Sequence, residues 1–450
     1  MRKLLLLSIS FFCSSAIAQE HFAGINTSQR VGILNVNMNP AELANLRSKY
    51  EVHLFSVSAG IANNKIGFSD LTGDDNLEDL IFRGNDAVDL RFDAELLGPS
   101  FAFRYNKWGF AIITKANAKL DLVDVDVNIG DAISNSDALL GTTTLSNNHN
   151  QRLSGTTWGE VGFSAARNLY DSERHEFNVG ATLKLLFPGS YANFGADKFT
   201  GTIYNEIGTA YLADAHANLN IAYSGNLGEN FTDFSDYSGS LFGKLNGVAA
   251  DLGANYQWKG KEDNKYLLNA GLSIRNIGAM TFKDANNAST DYVLTVPPPS
   301  PGNPGLDLSQ FDDTESLEEA EEILLNSGYL NRTEAENKDF KVKLPTVLSL
   351  YADVKVISGF YVTLFTKQKL NSDEDNDQIA SQNVLSVTPR YSWNNFEIWS
   401  NWTSNEISGF SGGFGLRAYG FYLGSSSVIT ALASDAKQGD VFIGYSFGLK

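Results

Sequence analysis

The sequence contains almost no cysteine, little histidine and no long apolar run beyond its first residues. The one cysteine, Cys13, lies near the N-terminus, so disulfide bonds and cysteine-ligated metal are excluded from the rest of the chain. The five histidines are scattered, and none is placed with a recognisable nucleophile and acid. No uncharged apolar stretch of about 18 residues follows the N-terminus, so membrane-spanning helices are excluded as well.

Bases are also scarce relative to acids. The chain has 34 Lys and Arg against 52 Asp and Glu, a net charge of -18 over 450 residues. Such an acidic chain repels phosphate backbones, so we expect no nucleic-acid partner. Only 10 prolines and 40 dispersed glycines, without a linker between blocks, favour one large architecture over several domains.

Residues 1–18 have the pattern of a secretory signal peptide. Two basic residues precede an apolar run, and Ala16-Ile17-Ala18 is a small-x-small cleavage site. The run is shorter than the roughly 20 residues that a helical anchor needs. We expect export, cleavage after Ala18 and a mature chain that begins at Gln19.

Many later segments alternate apolar residues with small or polar ones, which is typical of β-strands with two unlike faces. From Val248 to Trp258, every second residue is apolar, while Asp251, Asn255 and Gln257 lie among the others. A soluble sheet with one wet face would give the same alternation. The export signal, strands of about ten residues or more, aromatic residues at strand ends and a C-terminal strand favour a membrane barrel instead.

The sequence therefore predicts an all-β protein, a transmembrane antiparallel β-barrel of 14–16 strands with a short N-terminal helical plug segment. Residues 19–49 are expected to form the plug and residues 50–450 the barrel. If all short turns lie on the periplasmic side, residues 200–224 and 409–428 each contain two strands and the count is sixteen; if each is one long strand, it is fourteen.

Residues 278–338 are the least sheet-like part, and we expect a long extracellular loop there. Pro297, Pro298, Pro299 and Pro301 lead to a short acidic helix, in which Ser316 and Glu319 have capping-box spacing and Gly328 follows the last turn. Asp312, Asp313 and Glu315 precede this helix. The interpretation is a solvated surface helix, with a partner or cation patch as the alternative.

Charged residues recur on the polar face of the predicted strands. They mix both signs, and the ones expected to face the lumen are Glu160, Lys184, Asp251, Arg275, Asp353, Lys355 and Arg390. Paired charges inside a barrel usually stabilise the wall. A polar permeation path is the alternative.

Short motifs connect the chain to a known superfamily. Asn39-Pro40-Ala41 combines an N-cap residue with proline at the first helical position, which predicts a small helix suited to the barrel mouth. This signature resembles the N-terminal region of FadL-like long-chain fatty-acid transporters and of PorV-like barrels associated with type 9 secretion. Leu97-Gly98-Pro99-Ser100-Phe101, Ala250-Asp251-Leu252-Gly253 and Leu344-Pro345-Thr346 look like an uncharacterised group of Bacteroidota barrels in that superfamily. The resemblance implies the barrel fold but no cargo, since the superfamily includes both transporters and parts of secretion or assembly machines.

The outward-facing residues change phase once, at Gly98 and Pro99. The apolar set includes Leu96 before this point and Phe101 after it, a shift of one residue that requires a β-bulge. The bulge can serve only to curve the wall. The resemblance to FadL-like transporters suggests instead a lateral gap through which an apolar ligand leaves toward lipid.

No enzymatic site is expected. Gly444-Tyr445-Ser446-Phe447-Gly448 matches a nucleophile-elbow string but lies in the final strand, without the helix that this motif needs. Asp373, Asp375 and Asp377 have calcium-loop spacing, but Gln378 replaces the required glycine. We therefore assign no catalytic, cofactor-binding or metal-binding residue.

Two functions follow from these patterns. The first is an outer-membrane transporter of a small or hydrophobic solute, porin-like or FadL-like, that contacts only lipid. It depends on the resemblance and on the phase change. The alternative is a non-transporting, PorV-like subunit of an outer-membrane secretion or assembly complex, with other outer-membrane or secretion proteins as partners. It depends on the large outer segments and the acidic helix.

Overall fold

The computed structural model describes residues 20–70, 80–129, 140–206, 208–225, 243–260, 266–283, 287–311, 314, 316–334 and 336–449. The expected signal peptide and Gln19 lie outside these residues, as do Asp312, Asp313 and Glu315 of the acidic segment. Within the described ranges, no helix is long and apolar enough to cross a membrane.

Antiparallel strands make up most of the described chain. Their bounds are β1 (Tyr50–Asn63), β2 (Val88–Leu97), β3 (Ser100–Tyr105), β4 (Trp108–Val125), β5 (Leu140–Ser146), β6 (Asn150–Asp171), β7 (His175–Glu206), β8 (Thr209–Ser224), β9 (Gly247–Lys259), β10 (Tyr266–Phe282), β11 (Ala288–Val296), β12 (Leu306–Asp307), β13 (Leu330–Arg332), β14 (Phe340–Lys343), β15 (Val347–Ile357), β16 (Phe360–Lys369), β17 (Val384–Trp393), β18 (Phe396–Asn405), β19 (Gly409–Ala418), β20 (Phe421–Ser425) and β21 (Gln438–Leu449). The helices are α1 (Ile33–Met38), a 3₁₀ helix (Pro40–Asn45), a second 3₁₀ helix (Leu308–Phe311), α2 (Leu317–Asn326) and α3 (Val428–Ala433).

The first and last strands close the sheet into a barrel. β1 pairs with β21 from Tyr50↔Leu449 to Ala62↔Gln438, so the wall begins and ends at the same rim. The described strands give fourteen wall positions, in the order β1, β2/β3, β4, β6, β7, β9, β10, β14/β15, β16, β17, β18, β19, β20 and β21. The predicted antiparallel barrel with a small N-terminal helical segment is confirmed.

The two segments on which the strand count depended differ from each other. Residues 409–428 contain two wall strands, β19 and β20, which pair from Phe414↔Ser425 to Ala418↔Phe421. Residues 200–224 instead belong to β7 and β8. These two strands pair with each other from Tyr191 onward, whereas β7 pairs with the wall strand β9 only up to Leu185. The count is therefore fourteen, because this hairpin adds no position to the wall.

The two faces of the wall strands differ in the way that lipid requires. In β9, Leu252 and Trp258 are exposed on the outside, while Asp251, Asn255 and Gln257 are buried on the inside. The lipid interior offers no hydrogen-bond partners. A closed ring of strands pairs the backbone N–H and C=O groups with each other, and outward apolar side chains contact the lipid.

An outer sheet continues the wall beyond one rim. The long strand β7 carries β5 and β8, and β8 pairs with β11 from Ala288↔Tyr223 to Val296↔Ala215. This sheet and α2 enclose an apolar core of their own, which includes Leu212, Leu219 and Leu324. The segment 278–338, expected as a loop with a helix, thus also contains strands. Its helix begins as predicted, with the Ser316 hydroxyl accepting from the Glu319 backbone N–H at 3.1 Å.

Residues 20–45, which we call the plug, fill the lumen. Phe22, Ile25, Ile33 and Leu34 are all buried, in a cluster with inward side chains of the wall such as Trp399. Apolar side chains of a segment without a sheet of its own gain burial only inside the barrel. The plug is therefore part of the barrel's core.

Candidate functional site

The 3₁₀ helix of the plug rests on inward-facing glycines. A Cβ atom at Gly180 would come within 2.5 Å of the Pro40 carbonyl, and one at Gly253 within 2.0 Å of the Asn39 side-chain oxygen. Gly109 makes a third contact of this kind. Glycine is required because the plug backbone lies directly against the wall strands.

The predicted plug residues Asn39, Pro40 and Ala41 lie at this contact. The Asn39 side chain accepts from the Ala41 backbone N–H at 3.0 Å, which caps the 3₁₀ helix. Its amide group donates to the Ala254 carbonyl at 3.0 Å and to the Tyr351 hydroxyl at 3.2 Å. One side chain therefore both starts the helix and ties it to the wall.

The buried carboxyl group of Glu42 accepts hydrogen bonds from uncharged side chains. It accepts from Asn45 at 2.8 Å, from Asn255 at 3.0 Å, from Asn269 at 2.9 Å and from the Tyr351 hydroxyl. Burial raises the pKa of Glu42, and the hydrogen bonds from Tyr351 and the amides offset this only in part. Because these donors belong to the plug and to three wall strands, Glu42 fixes the end of the plug.

A second segment closes the lumen from the other side. Residues 371–382, which we call the lid, connect β16 to β17 and reach across to β6. The guanidinium of the fully buried Arg152 donates to the carbonyls of Asp373 at 2.6 Å and Gln378 at 2.9 Å. Asn150 donates to the Glu374 carbonyl at 2.7 Å. Main-chain carbonyls of the lid thus accept hydrogen bonds from side chains of the wall strand β6.

Apolar contacts and ion pairs also hold the lid. Ile379 is buried in a cluster with wall residues, and Tyr191 donates to the Asn376 carbonyl at 2.7 Å. Of the carboxylates with calcium-loop spacing, Asp373 pairs with Lys369 at 2.6 Å and, more distantly, with Arg91. In the part of the chain that the structure describes, no three His, Cys, Asp or Glu side chains are grouped as metal ligands.

A chamber that is partly open to solvent lies between the plug and the lid. Charged wall residues of both signs surround it: Asp93, Glu95, Lys115, Lys119, Lys184, Arg275 and Lys367. Its apolar lining comes mainly from Phe22, Leu34, Met38, Trp158 and Val347, and Ser381 of the lid closes one side. The chamber therefore combines apolar surface with closely spaced charges.

Glu20 and His21, the first described residues of the plug, pair with charged wall residues of the chamber. The Glu20 carboxylate lies 3.1 Å from Arg275 and 2.7 Å from Lys367. Burial would raise the pKa of Glu20, but the two cations outweigh it and lower that pKa to about 2. The His21 ring lies 3.0 Å from Asp93; burial opposes its protonation, yet this carboxylate raises the pKa of His21.

The seven predicted lumen charges fall into separate groups. Lys184, which lines the chamber, lies 3.5 Å from Glu160 and 2.9 Å from Asp251. Arg275 faces the chamber itself. Nearer the other rim, Arg390 pairs with Asp353 at 2.6 Å, and Lys355 is half-buried two residues further along β15.

Several chamber residues were not singled out in the sequence. Asp93 and Glu95 on β2 face Lys119 and Asn117 on β4 in the ladder, and Lys119 pairs with Asp93. The sequence signal for these residues was the alternation of acids along β2, with lysines on one face of β4. Lys367, Arg152 and the lid carry no comparable pattern.

The wall is bonded across the kink at Gly98 and Pro99. β2 aligns Leu97 with Lys115, whereas β3 aligns Phe101 with Ile112, so one extra residue lies between them. Gly98 donates to the Thr114 carbonyl at 2.8 Å, and the Thr114 hydroxyl donates to the Pro99 carbonyl at 2.9 Å. The kink in this structure is a hydrogen-bonded bulge.

Comparison with known proteins identifies the family. The family model DUF5723, described as a family of unknown function, matches residues 40–426. The chain belongs to the DUF5723 family. No curated protein matches it in sequence. The matched range includes the 3₁₀ helix of the plug, the wall residues of the chamber and the lid, whereas plug residues 20–39 precede it.

Solved structures similar to this DUF5723 protein are outer-membrane barrels. The toluene transporter TbuX of Ralstonia pickettii is 12% identical, with 94% of this chain and 95% of that chain covered and a TM-score of 0.40. The toluene transporter TodX of Pseudomonas putida is 7% identical, over 97% and 100%, with a TM-score of 0.37. A FadL homologue of Pseudomonas aeruginosa is 10% identical, over 96% and 98%, with a TM-score of 0.27.

Proposed function

We propose that this DUF5723 protein is an outer-membrane transport barrel that binds a small solute in the chamber and releases it when the plug or the lid moves. The chamber carries the proposal, since it is a partly enclosed space between two segments that belong to no wall strand. Each segment is held by hydrogen bonds and packing, without a covalent link. Such contacts are individually worth only a few kcal/mol, which allows ligand-driven opening.

The lining favours a solute with a charged or strongly polar end and an apolar body. Arg275 and Lys367 provide positive charge on one side, while Phe22, Leu34 and Trp158 provide apolar surface on the other. Glu20 now pairs with both of these cations, and the anionic end of a solute could replace its carboxylate, whereas a purely apolar solute would make no favourable contact with them. TbuX and TodX are toluene transporters. For this chain we propose an amphipathic solute.

A disulfide lock on the lid tests transport. A Cβ atom at Gly195 would lie 3.0 Å from Cγ of Asn376, a distance close to that between the Cβ of one cysteine and the sulfur of its partner in a disulfide. Gly195→Cys with Asn376→Cys should therefore close when oxidised. In proteoliposomes we expect entry of octanoate to fall about tenfold on oxidation and to return on reduction.

Controls separate this mechanism from simple damage. Asn376→Cys alone cannot form the lock and should respond to neither oxidant nor reductant. Glucose and toluene, which are respectively all polar and all apolar, should enter more slowly than octanoate. Octanoate entry that is unchanged by the closed lock would contradict opening at the lid.

The membrane location and the leader are part of the same proposal. The apolar outer wall requires lipid, and the signal-peptide pattern of residues 1–18 indicates export to the outer membrane. Intact-mass measurement of protein purified from outer membranes should give a chain that starts at Gln19. A mass that includes residues 1–18 would contradict cleavage.

The outer sheet favours a second candidate, a non-transporting subunit of an outer-membrane secretion or assembly complex. β8, β11 and α2 enclose a core that the wall does not need for closure. Such an outer domain is a suitable docking element for another protein. A stoichiometric partner in mild-detergent purification, together with a closed lumen in conductance measurements, would support this function over transport.

A further inference from the structure

Arginines outnumber carboxylates at the rim of the lumen opposite the lid, although the whole chain is acidic. Arg30 of the plug lies there, because its guanidinium donates to the carbonyl of Asn394, in the short turn between β17 and β18, at 2.6 Å. Its Nε lies 3.5 Å from the Glu397 carboxylate. Arg417 is directly opposite Glu397 in the ladder of β18 and β19.

One carboxylate is thus shared among several cations. Glu397, buried and facing inward, also lies 3.7 Å from Nε of Arg390 and accepts from the Ser392 hydroxyl. Arg390 has a carboxylate of its own, Asp353, at 2.6 Å. Arg30 and Arg390 therefore already compensate the negative charge of Glu397, and Arg417 adds a further positive charge.

Arg47 adds a further positive charge from the segment that leads out of the plug. The Arg47 side chain is exposed at this rim. Partial desolvation of its guanidinium and the neighbouring Arg30 guanidinium lower the pKa of Arg47, as expected for neighbouring cations. Among the described residues, no carboxylate lies within 4.0 Å of the guanidinium of Arg47 or Arg417. The remaining acid nearby, Glu51, accepts from the Ile33 backbone N–H at 2.9 Å inside the barrel.

We propose that Arg30, Arg47 and Arg417 form a binding site for an anionic group, a carboxylate or a phosphate, presented at the periplasmic end of the lumen. Guanidinium groups bind both oxyanions through paired N–H donors, and a second negative charge would relieve the repulsion among the three cations. The site is separate from the chamber and does not depend on transport. Because Arg30 belongs to the plug, Arg47 to the segment that leads out of it and Arg417 to the wall, a bound anion joins the plug to the wall.

The experiment uses the full-length mature barrel in a zwitterionic detergent. Thermal unfolding is followed by tryptophan fluorescence during titration with inorganic phosphate or succinate, against sodium chloride at matched ionic strength. Since the anion bridges plug and wall, a saturable rise in the unfolding temperature is expected. Arg47→Gln combined with Arg417→Gln should weaken the apparent affinity by about tenfold or more.

Matched variants make the result specific. Arg174→Gln removes an exposed arginine from the β6–β7 turn at the same rim and should leave the titration unchanged. Arg417→Lys keeps the charge but not the paired donors and should retain part of the effect. Arg47→Gln alone, in a residue with no ion pair among those described, provides the test if the double variant does not fold.

The two anions distinguish possible sources of the group. A response to both indicates a general oxyanion site, a response to succinate alone indicates a carboxylate ligand, and a response to phosphate alone indicates a phosphate-bearing one. The proposal is wrong if neither anion gives a saturable shift beyond chloride, or if the Arg47 and Arg417 variants respond like the unaltered protein.

Discussion

The backbone at Gly180 lies so close to Pro40 that a Cβ atom there would come within 2.5 Å of the Pro40 carbonyl oxygen. The wall strand β7 and the first turn of the plug helix are thus in direct backbone contact. Strand glycine normally weakens a sheet, because it has no side chain to pack. Here it allows the plug to lie against the wall.

Gly180→Val should therefore displace the plug while the β-branched residue preserves the strand. Overpacking of this kind typically costs about 1–3 kcal/mol, a cost that the barrel avoids if the plug moves away. We expect a larger single-channel conductance in planar bilayers. Gly439→Val is the control, since a Cβ atom at Gly439 meets nothing within 4 Å. Equal conductance of the two folded variants would show that this contact does not hold the plug.

Arg152→Met should loosen the lid. The change removes the hydrogen bonds to the Asp373 and Gln378 carbonyls, each worth about 1.5 kcal/mol or more because the donor is charged. A total of about 3 kcal/mol corresponds to about a hundredfold larger open population. In a Ser381→Cys background, labelling by a membrane-impermeant maleimide should accelerate accordingly.

The control for the lid is Lys343→Met, which also removes a cation that contacts this segment. Lys343 pairs with Asp377 at 3.0 Å, but both side chains are about half exposed, so the pair contributes roughly 0–1 kcal/mol. Its labelling rate should stay near that of the unaltered protein. An Arg152 variant that labels no faster than the Lys343 variant would contradict the anchoring role.

Alternation along the strands was enough to predict which residues face inward, as Asp251 and Leu252 illustrate. It could not distinguish wall strands from strands of the outer sheet. In β8, Ala217 and Leu219 are buried while His216 and Asn218 are exposed, which is the same period as in the wall. The apolar face of β8 is covered by α2 and its neighbours instead of lipid, and nothing within β8 itself records that difference.

The lid could not be predicted because its contacts are remote and involve the backbone. Arg152 and Asp373 are 221 residues apart, and the acceptor is a carbonyl that every residue has. The aspartates of this segment have calcium-loop spacing but lack the glycine that such a loop requires. In the structure, Asp373 and Asp377 instead pair with cations of the chain. The plug helix was predictable, because Asn39 and Pro40 act through their own local conformations.

His21 should make the N-terminal end of the plug sensitive to alkaline pH. Its pKa is raised above the ordinary value of 6.5 by Asp93, so its stabilising contact is fully present below that value and is lost as pH rises through the folded-state pKa. His21→Asn should therefore lower the unfolding temperature more at pH 5.5 than at pH 9. A cost that does not change with pH would contradict protonation of His21.

Glu20→Gln is the matched control at the neighbouring residue. The pKa of Glu20 is lowered to about 2 from an ordinary 4.5. Its contribution is therefore complete above pH 4.5 and disappears only as pH falls toward 2. Between pH 5.5 and 9 the cost of Glu20→Gln should stay constant, whereas that of His21→Asn decreases.

Lys184→Met should destabilise the barrel because it leaves the buried Asp251 without its cation. Breaking one side of a buried ion pair costs roughly 3–5 kcal/mol, whereas removing both charges is often close to neutral. Lys184→Met with Asp251→Asn should therefore recover most of the loss, since the asparagine oxygen still accepts from the Asn276 backbone N–H. Urea unfolding in phospholipid vesicles measures both. Lys283→Met, which removes an exposed pair with Asp339, should change little. If the double variant were as unstable as the single one, Lys184 would stabilise the barrel through its packing, and its charge would matter little.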